Sequence, residues 1–114
     1  MGIKIVKKSR LLKLFPSWVG AFTFNQTIYL RGSDKPRLLI SHEYIHTQQY
    51  KKEGVLKFLI VYFYEYLLNL WRYNFNTKEA YINISFEKEA YANQDKINKE
   101  DIVISEEVYD VSNF

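Results

Sequence analysis

Two histidines and a glutamate stand close together in the segment His42-Glu43-Tyr44-Ile45-His46. The apolar residues around this segment have the three-and-four spacing of a helix, and helical residues four apart lie one turn apart on the same face. Both imidazoles can therefore reach a single cation, while Glu43 lies beside them, where a carboxylate can bind a metal's water and take its proton. These are the only two histidines of the chain and it has no cysteine, so histidine and carboxylate must hold any metal here.

A third ligand is required, because a catalytic zinc takes three protein ligands and leaves its fourth position to water. Since further histidine and cysteine are lacking, this ligand must be a carboxylate. The candidates are Glu87 and Glu89 in the downstream segment Phe-Glu-Lys-Glu-Ala-Tyr-Ala. On a helix these two side chains point about 200° apart, so only one of them can face the metal. The spacing alone leaves both open.

The longer pattern resembles that of gluzincin metallopeptidases, in particular the minigluzincins and small uncharacterised bacterial and phage zincins. The resemblance covers residues 27–93 and is carried by Leu39, His42, Glu43, His46, Gln49, Gly54, Tyr81, Phe86, Glu87, Glu89, Ala90 and Tyr91. It implies one zinc ion per chain, held by His42, His46 and Glu87, with Glu43 as general base to the metal-bound water. Glu89 remains the alternative third ligand.

Two positions depart from this family pattern. Tyr91 stands where many gluzincins have an acidic residue that supports a ligand histidine, a role that tyrosine fills more weakly. Ser85 stands where proline is expected, and we predict that it caps the ligand helix. Tyr81 is a candidate catalytic residue whose hydroxyl stabilises an oxyanion, with core packing as the alternative. Gln49, one turn beyond His46, contacts either the ligands or the surface.

The whole chain is predicted to form one α+β domain, a minimal zincin-like unit. Residues 1–34 are β-rich, with an edge strand near Ile3 and a hairpin whose second strand is 27–31. Residues 100–114 are predicted to form an acidic tail that contains a strand-like segment at 102–104.

Residues 35–99 are predicted to form a helical core that carries the metal site. The active-site helix spans about 36–53 and ends at a glycine. The next helix, about 55–73, is apolar nearly all round and is therefore predicted to be a buried backing helix. Residues 74–83 are polar and turn-like, and the ligand helix follows at about 86–98.

Charge is distributed unevenly along the chain. Residues 1–57 carry eleven Lys and Arg against three Asp and Glu, whereas residues 58–114 carry five against ten. No nucleic-acid-binding module is recognisable, so we expect a solvated surface and no nucleic-acid partner. Lysines interrupt any signal-peptide core, and charges break the apolar run at 55–71, so neither a leader nor a spanning helix is expected. The sequence predicts a cytoplasmic protein, with membrane-surface contact as the alternative.

These features predict a zinc-dependent metallopeptidase that acts on a peptide or protein substrate. The strand at 27–31 is predicted to be an edge with which an extended substrate pairs. A stripe of aromatic residues is predicted to be core rather than a substrate groove, namely Phe58, Tyr62, Tyr66 and Trp71. One alternative is a non-catalytic zinc-binding structural or interaction protein, an inactive zincin of phage or membrane-peripheral type. A second alternative is a metal-dependent hydrolase of a non-peptide amide.

Overall fold

The computed structural model of the chain describes residues 2–110, and in this part the α+β prediction is confirmed. Four strands form one mixed sheet in the order β2-β3-β1-β4. The strands are β1 (Ile3–Lys7), β2 (Ala21–Phe24), β3 (Thr27–Leu30) and β4 (Ile104–Tyr109). The α-helices are α1 (Arg37–Glu53), α2 (Val55–Arg72), α3 (Thr77–Ile82) and α4 (Ser85–Asn93). Short 3₁₀ helices lie at Arg10–Leu14, Gln94–Lys96 and Lys99–Asp101.

The predicted hairpin is confirmed, but two predictions about the sheet edges are wrong. Strands β2 and β3 pair antiparallel, with Ala21 opposite Leu30 and Phe24 opposite Thr27. Strand β1 is central rather than an edge, because it pairs in parallel with β3 on one side and with β4 on the other. The same pairing makes β3 an internal strand. In the part of the chain that the structure describes, the edge strand on this side is β2.

The sheet packs one face on α1 and forms the main apolar core with it. Its buried members are Ile3, Ile5, Ala21, Ile28, Leu30 and Ile40. The sequence predicted a strand-like segment at 102–104, but the strand of the structure begins at Ile104 and runs to Tyr109. Much of the predicted acidic tail therefore belongs to the sheet. The predicted segment and the strand share only Ile104, because the next three residues, Ser-Glu-Glu, are polar and break the apolar pattern.

Helix α1 has the ends that the sequence predicts. Pro36 precedes its first turn, and Gly54 follows its last residue with a φ of 86°. This left-handed conformation favours glycine, which has no Cβ to clash. The Gly54 N–H bonds to the Tyr50 carbonyl at 2.8 Å, and α2 begins at the next residue. The two helices are therefore joined by a single residue, which fixes where α2 starts relative to the site on α1.

The prediction that the second helix is buried is wrong. Within α2, all of which the structure describes, only Phe58 and Asn69 are buried. Trp71, predicted to belong to the core stripe, is 74% exposed, whereas Phe58 is 3% exposed. Helix α2 packs one side against α1, α3 and α4, and among residues 2–110 no further layer covers its other side. Apolar composition indicates a tendency to be buried, but burial itself requires a neighbouring element.

A short helix was missed in the polar segment after α2. Asn76 caps α3 by accepting a hydrogen bond from the Glu79 N–H at 3.1 Å, and Asn69 of α2 donates to the Ala80 carbonyl at 3.0 Å. Only Ala80 of this helix is buried. A six-residue helix with one buried position shows no clear apolar periodicity, so the pattern indicated turns.

The ligand helix α4 starts and ends differently from the prediction. Ser85 is its first residue rather than its cap; its N–H and hydroxyl donate to the Glu65 carboxylate at 2.7 and 3.0 Å. A carboxylate from α2 thus satisfies this helix N-terminus. The α-helix ends at Asn93, and residues 94–96 continue as a 3₁₀ helix. Within residues 2–110, the structure contains no helix with the length and apolar character needed to cross a membrane.

The two sides of α2 predict opposite effects of matched substitutions. Phe58→Ala removes a buried ring and should lower the free energy of unfolding by about 3–5 kcal/mol. Phe63→Ala, on the same helix but at a position 56% exposed, should change it by less than about 1 kcal/mol. Urea unfolding followed by circular dichroism measures both values. Equal losses for the two variants would contradict the exposed placement of Phe63.

Candidate metal centre

The histidines and the glutamate of α1 are buried on the side of the helix that faces the sheet edge and α4. His42, Glu43 and His46 are each less than 5% exposed. The two imidazole rings lie one turn apart, with centroids separated by 4.9 Å. This placement follows from helix geometry, because positions i and i+4 share one face. A buried face with so many polar groups needs partners from the elements around it.

Helix α4 brings Glu87 to both histidines. The Glu87 Oε1 atom lies 2.7 Å from His42 Nε2, and its Oε2 atom lies 3.1 Å from His46 Nε2. One ligand atom from each of these three buried residues can be chosen so that all lie within 4.8 Å of one another. Glu89 is exposed and accepts a hydrogen bond from Gln49 Nε2 at 2.7 Å. Of the two candidate carboxylates, the structure therefore brings Glu87 into the centre.

The orientation of the His46 ring is set by Gln49. The Gln49 amide nitrogen donates to the Phe86 carbonyl at 3.0 Å and to Glu89 Oε1 at 2.7 Å. Because both of these partners are acceptors, the Gln49 oxygen must be the atom that faces His46 Nδ1, at 2.7 Å. His46 Nδ1 therefore carries the hydrogen, and Nε2 points toward Glu87.

Gln94 supports the other imidazole, and the sequence interpretation missed it. Its side-chain oxygen lies 2.9 Å from His42 Nδ1. Tyr91, the residue expected in this role, instead packs its ring on His42 at a centroid distance of 4.4 Å. Gln94 stands seven residues after Glu87, which on a continued helix is the same face. That spacing is the signal that could have identified it.

The chemistry of the His42, His46 and Glu87 side chains suits a cation. His46 Nε2 is buried and has no hydrogen-bond partner within the described part of the chain, although it lies 3.1 Å from Glu87 Oε2. With Nδ1 protonated, a neutral His46 would direct the Nε2 lone pair at a carboxylate, which is repulsive unless a positive charge lies between them. The centre also holds a second buried carboxylate, Glu43. Two buried negative charges and an unpartnered imidazole nitrogen are the conditions under which a bound metal ion stabilises a site.

The pKa values of His46 and Glu87 also indicate that the centre favours a bound positive charge. Burial of the His46 imidazole alone would lower its pKa, but the adjacent negative charge of Glu87 raises that pKa to about 9. Burial would raise the pKa of Glu87, but His46 and His42 lower it well below its usual value. The His42, His46 and Glu87 side chains can therefore hold a metal ion in place of the proton that otherwise balances the carboxylate.

Glu43 has a different environment from the three ligand candidates. Burial raises the pKa of Glu43 above its usual 4.5, and the nearby His46 and His42 oppose this shift only in part. The Thr23 hydroxyl of β2 donates to Glu43 Oε1 at 2.7 Å and holds the carboxylate toward the sheet edge. A buried carboxylate with a raised pKa is a stronger base than one in water.

Tyrosines form the wall opposite α1. The Tyr62 hydroxyl of α2 donates to Glu87 Oε2 at 2.7 Å. Tyr62, which the sequence predicted to be a core residue, therefore contacts the candidate metal centre. Tyr81 of α3 is half-buried, packs against Trp18 at a centroid distance of 5.2 Å, and lines the same space as Glu43. Burial and the charges of Glu87 and Glu43 raise the pKa of Tyr81, so its hydroxyl remains protonated and able to donate.

Two cavities meet at Glu43, beside the edge strand β2. The first, which we name the His42 cavity, has a volume of about 250 Å³ and is lined by Trp18, Gly20, Leu39, His42, Tyr91 and Gln94, among others. The second, the aromatic cavity, has about 330 Å³; it reaches His46 and Glu87 and is walled by Phe15, Phe22, Phe58, Tyr62, Phe63 and Tyr66, among others. Ala21, Glu43 and Tyr81 border both. The site thus has space on either side of Glu43.

Matched substitutions on α4 distinguish the two carboxylates. Glu87→Gln should weaken the binding of Zn²⁺ by a factor of about ten to a hundred, because a neutral amide replaces a charged ligand. Glu89→Gln should leave Zn²⁺ affinity within about threefold, because its side chain is exposed and an amide oxygen can still accept from Gln49. Competition with a chromogenic chelator measures both affinities. The opposite ranking would show that the ligand helix is rotated relative to the structure.

The pH dependence of metal binding follows from the pKa of His46. Below a pKa of about 9, the metal must displace a proton from this residue. The apparent affinity for Zn²⁺ should therefore fall by about tenfold for each pH unit from pH 8 to pH 6. Isothermal titration in buffers of different ionisation enthalpy measures both the affinity and the proton released. An affinity that is constant over this range would contradict the raised pKa.

Comparison with known proteins leaves the centre to be interpreted from its geometry. The chain matches no protein-family model, no curated protein and no solved structure.

Proposed function

We propose that this chain is a zinc-dependent metallopeptidase of the gluzincin type. The observation that carries the proposal is that four buried groups on α1 and α4, two imidazoles and two carboxylates, have two distinct arrangements. His42, His46 and Glu87 converge on one point, whereas Glu43 stands apart from it and faces both cavities. Two imidazoles and one carboxylate are a donor set of catalytic zinc, which keeps a fourth position open.

Each residue has a role that its surroundings support. Zinc, when bound, would supply the Lewis acidity that polarises a carbonyl and lowers the pKa of a water. Glu43 takes a proton from the attacking water and passes it to the leaving nitrogen, which its raised pKa favours. The Tyr81 hydroxyl, kept protonated, donates a hydrogen bond to the developing oxyanion.

The substrate is an extended peptide that pairs with β2 rather than with the strand at 27–31. Strand β3 already has neighbours on both sides, whereas β2 borders the site. Thr23 of β2 bonds to Glu43, and Ala21 lines both cavities, so a peptide along this edge passes over Glu43. Main-chain pairing to a sheet edge leaves alternate side chains free to enter pockets. The aromatic cavity accepts an apolar side chain of the substrate.

One observation favours a second candidate, a zinc-binding protein without turnover. The partner of His42 Nδ1 is the neutral Gln94, and the neighbouring ring is Tyr91. A carboxylate partner would increase the basicity of the ligand imidazole and of the zinc-bound water, and neutral groups do this less. Glu43 favours the enzyme, because a purely structural site does not need a second buried carboxylate.

Substitution of Glu43 tests the peptidase proposal. Glu43→Gln should keep the zinc content and should lower hydrolysis of a peptide library by at least about 10²-fold, because the base is lost while the ligands stay. Glu53→Gln, on the same helix but beyond the cavities, serves as the matched control and should retain activity. Zinc-loaded wild type is assayed as the full chain, since β4 belongs to the sheet. Equal inactivity of the wild type and Glu43→Gln would favour the binding protein.

A further inference from the structure

Helix α2 presents an apolar face that the rest of the chain does not use. Its members recur with helical periodicity and lie within an arc of about 100° on one side of the helix. They are Leu56, Ile60, Phe63, Tyr64, Leu67 and Trp71, and we name them the α2 apolar face. Each is more than half exposed. The opposite side of the helix carries Phe58, Tyr62 and Asn69 and faces the domain.

The size of this face is unusual for a monomer in water. Six large side chains, each more than half exposed, present on the order of 600–900 Å² of surface, above the few hundred Å² that a monomer typically exposes in one patch. The face also adjoins the aromatic cavity, because Phe63 belongs to the face and lines that cavity together with the 81% exposed Leu14. Such a continuous surface indicates a binding partner.

The charges around the face are positive. Lys51 and Lys52 are exposed at the end of α1, next to the start of the face. Lys57 lies at the margin of the arc and pairs with Glu53 at 3.0 Å. Three lysines against one glutamate leave two positive charges at the first end.

The carboxylate of α2 itself does not offset these charges. Glu65 projects from the other side of the helix, where it binds Ser85. A second copy docked by the same face would therefore add its own lysines, with no carboxylate on the face to receive them. Like charges brought together oppose association, whereas anionic headgroups complement them.

The aromatic members agree with a lipid surface. Trp71 and Tyr64 combine an apolar ring with a polar N–H or O–H group, and such rings concentrate at the level of lipid headgroups. No helix within residues 2–110 has the length and apolar character to cross a bilayer, so α2 would lie along the surface.

We propose that the α2 apolar face docks on an anionic lipid bilayer, with α2 lying in the headgroup region and Lys51 and Lys52 contacting acidic lipids. In this orientation Phe63, which also lines the aromatic cavity, lies against the bilayer. The inference goes beyond the proposed peptidase activity and does not depend on it, since docking requires neither metal nor substrate.

Vesicle flotation tests the docking. The full chain is mixed with vesicles of phosphatidylcholine containing about 30% phosphatidylglycerol, or with phosphatidylcholine alone, in chelator and without peptide. We expect flotation with the anionic vesicles and at least about tenfold weaker partitioning onto the neutral ones. Because no zinc is present, failure of the peptidase proposal cannot change this result. Absence of flotation with anionic vesicles would overturn the docking proposal.

Matched variants locate the contact. Leu67→Glu, in the middle of the face, should lower partitioning by more than about tenfold, because a charge would enter the apolar layer. Val103→Glu places the same charge at a residue 57% exposed just before β4 and should partition like wild type. Thermal melts followed by circular dichroism show that both variants fold. Wild-type partitioning by a folded Leu67→Glu variant would contradict the proposal.

Two further measurements distinguish a lipid surface from a second copy. Trp18→Phe leaves Trp71 as the only tryptophan of the chain, and its emission should shift to shorter wavelength on anionic vesicles. Light scattering after gel filtration should show a monomer at micromolar concentration. A dimer that Leu67→Glu dissociates, together with an unshifted Trp71 emission, would assign the face to a second copy and overturn the lipid proposal.

Discussion

The arrangement of the helices depends on the contacts of the Glu87 carboxylate, which is buried between two imidazoles. It lies 2.7 Å from His42 and 3.1 Å from His46, and the Tyr62 hydroxyl bonds its second oxygen at 2.7 Å. An unpaired buried carboxylate costs several kcal/mol. Helices α1, α2 and α4 must therefore meet in one register, since turning α4 by a single residue would move Glu87 by about 100°. The same contacts that satisfy this charge build the candidate metal centre.

The supporting hydrogen bonds of the centre come from different parts of the fold. Thr23 of the edge strand orients Glu43, Gln94 beyond α4 orients His42, and Gln49 on α1 orients His46. With the rings held by these partners, both Nε2 atoms face Glu87, and Glu43 borders both cavities. Side chains held in this way lose little further freedom when a metal or a substrate binds, which favours both affinity and correct geometry.

The two sides of helix α2 have different surroundings. One side packs against other helices, and nothing among residues 2–110 covers the other side. Phe58 and Tyr62 face inward and form a wall of the aromatic cavity, with Tyr62 also bonded to Glu87. The outer side carries the α2 apolar face, and Phe63 belongs to both surfaces. A partner that covers this face would therefore border the aromatic cavity.

Local sequence determined the features that depend on residues close together in the chain. The His42–His46 spacing, the end of α1 at Gly54 and the β2–β3 hairpin all follow from helix periodicity, glycine conformation and short-range pairing. The tertiary structure decided the rest. Glu87 rather than Glu89 faces the histidines because α4 approaches α1 with one side, and periodicity does not say which. Strand β1 is central because β4, about a hundred residues later, pairs with it. Gln94 supports His42 only because a 3₁₀ helix prolongs α4, and α2 stays exposed because burial is a property of neighbours rather than of the helix itself.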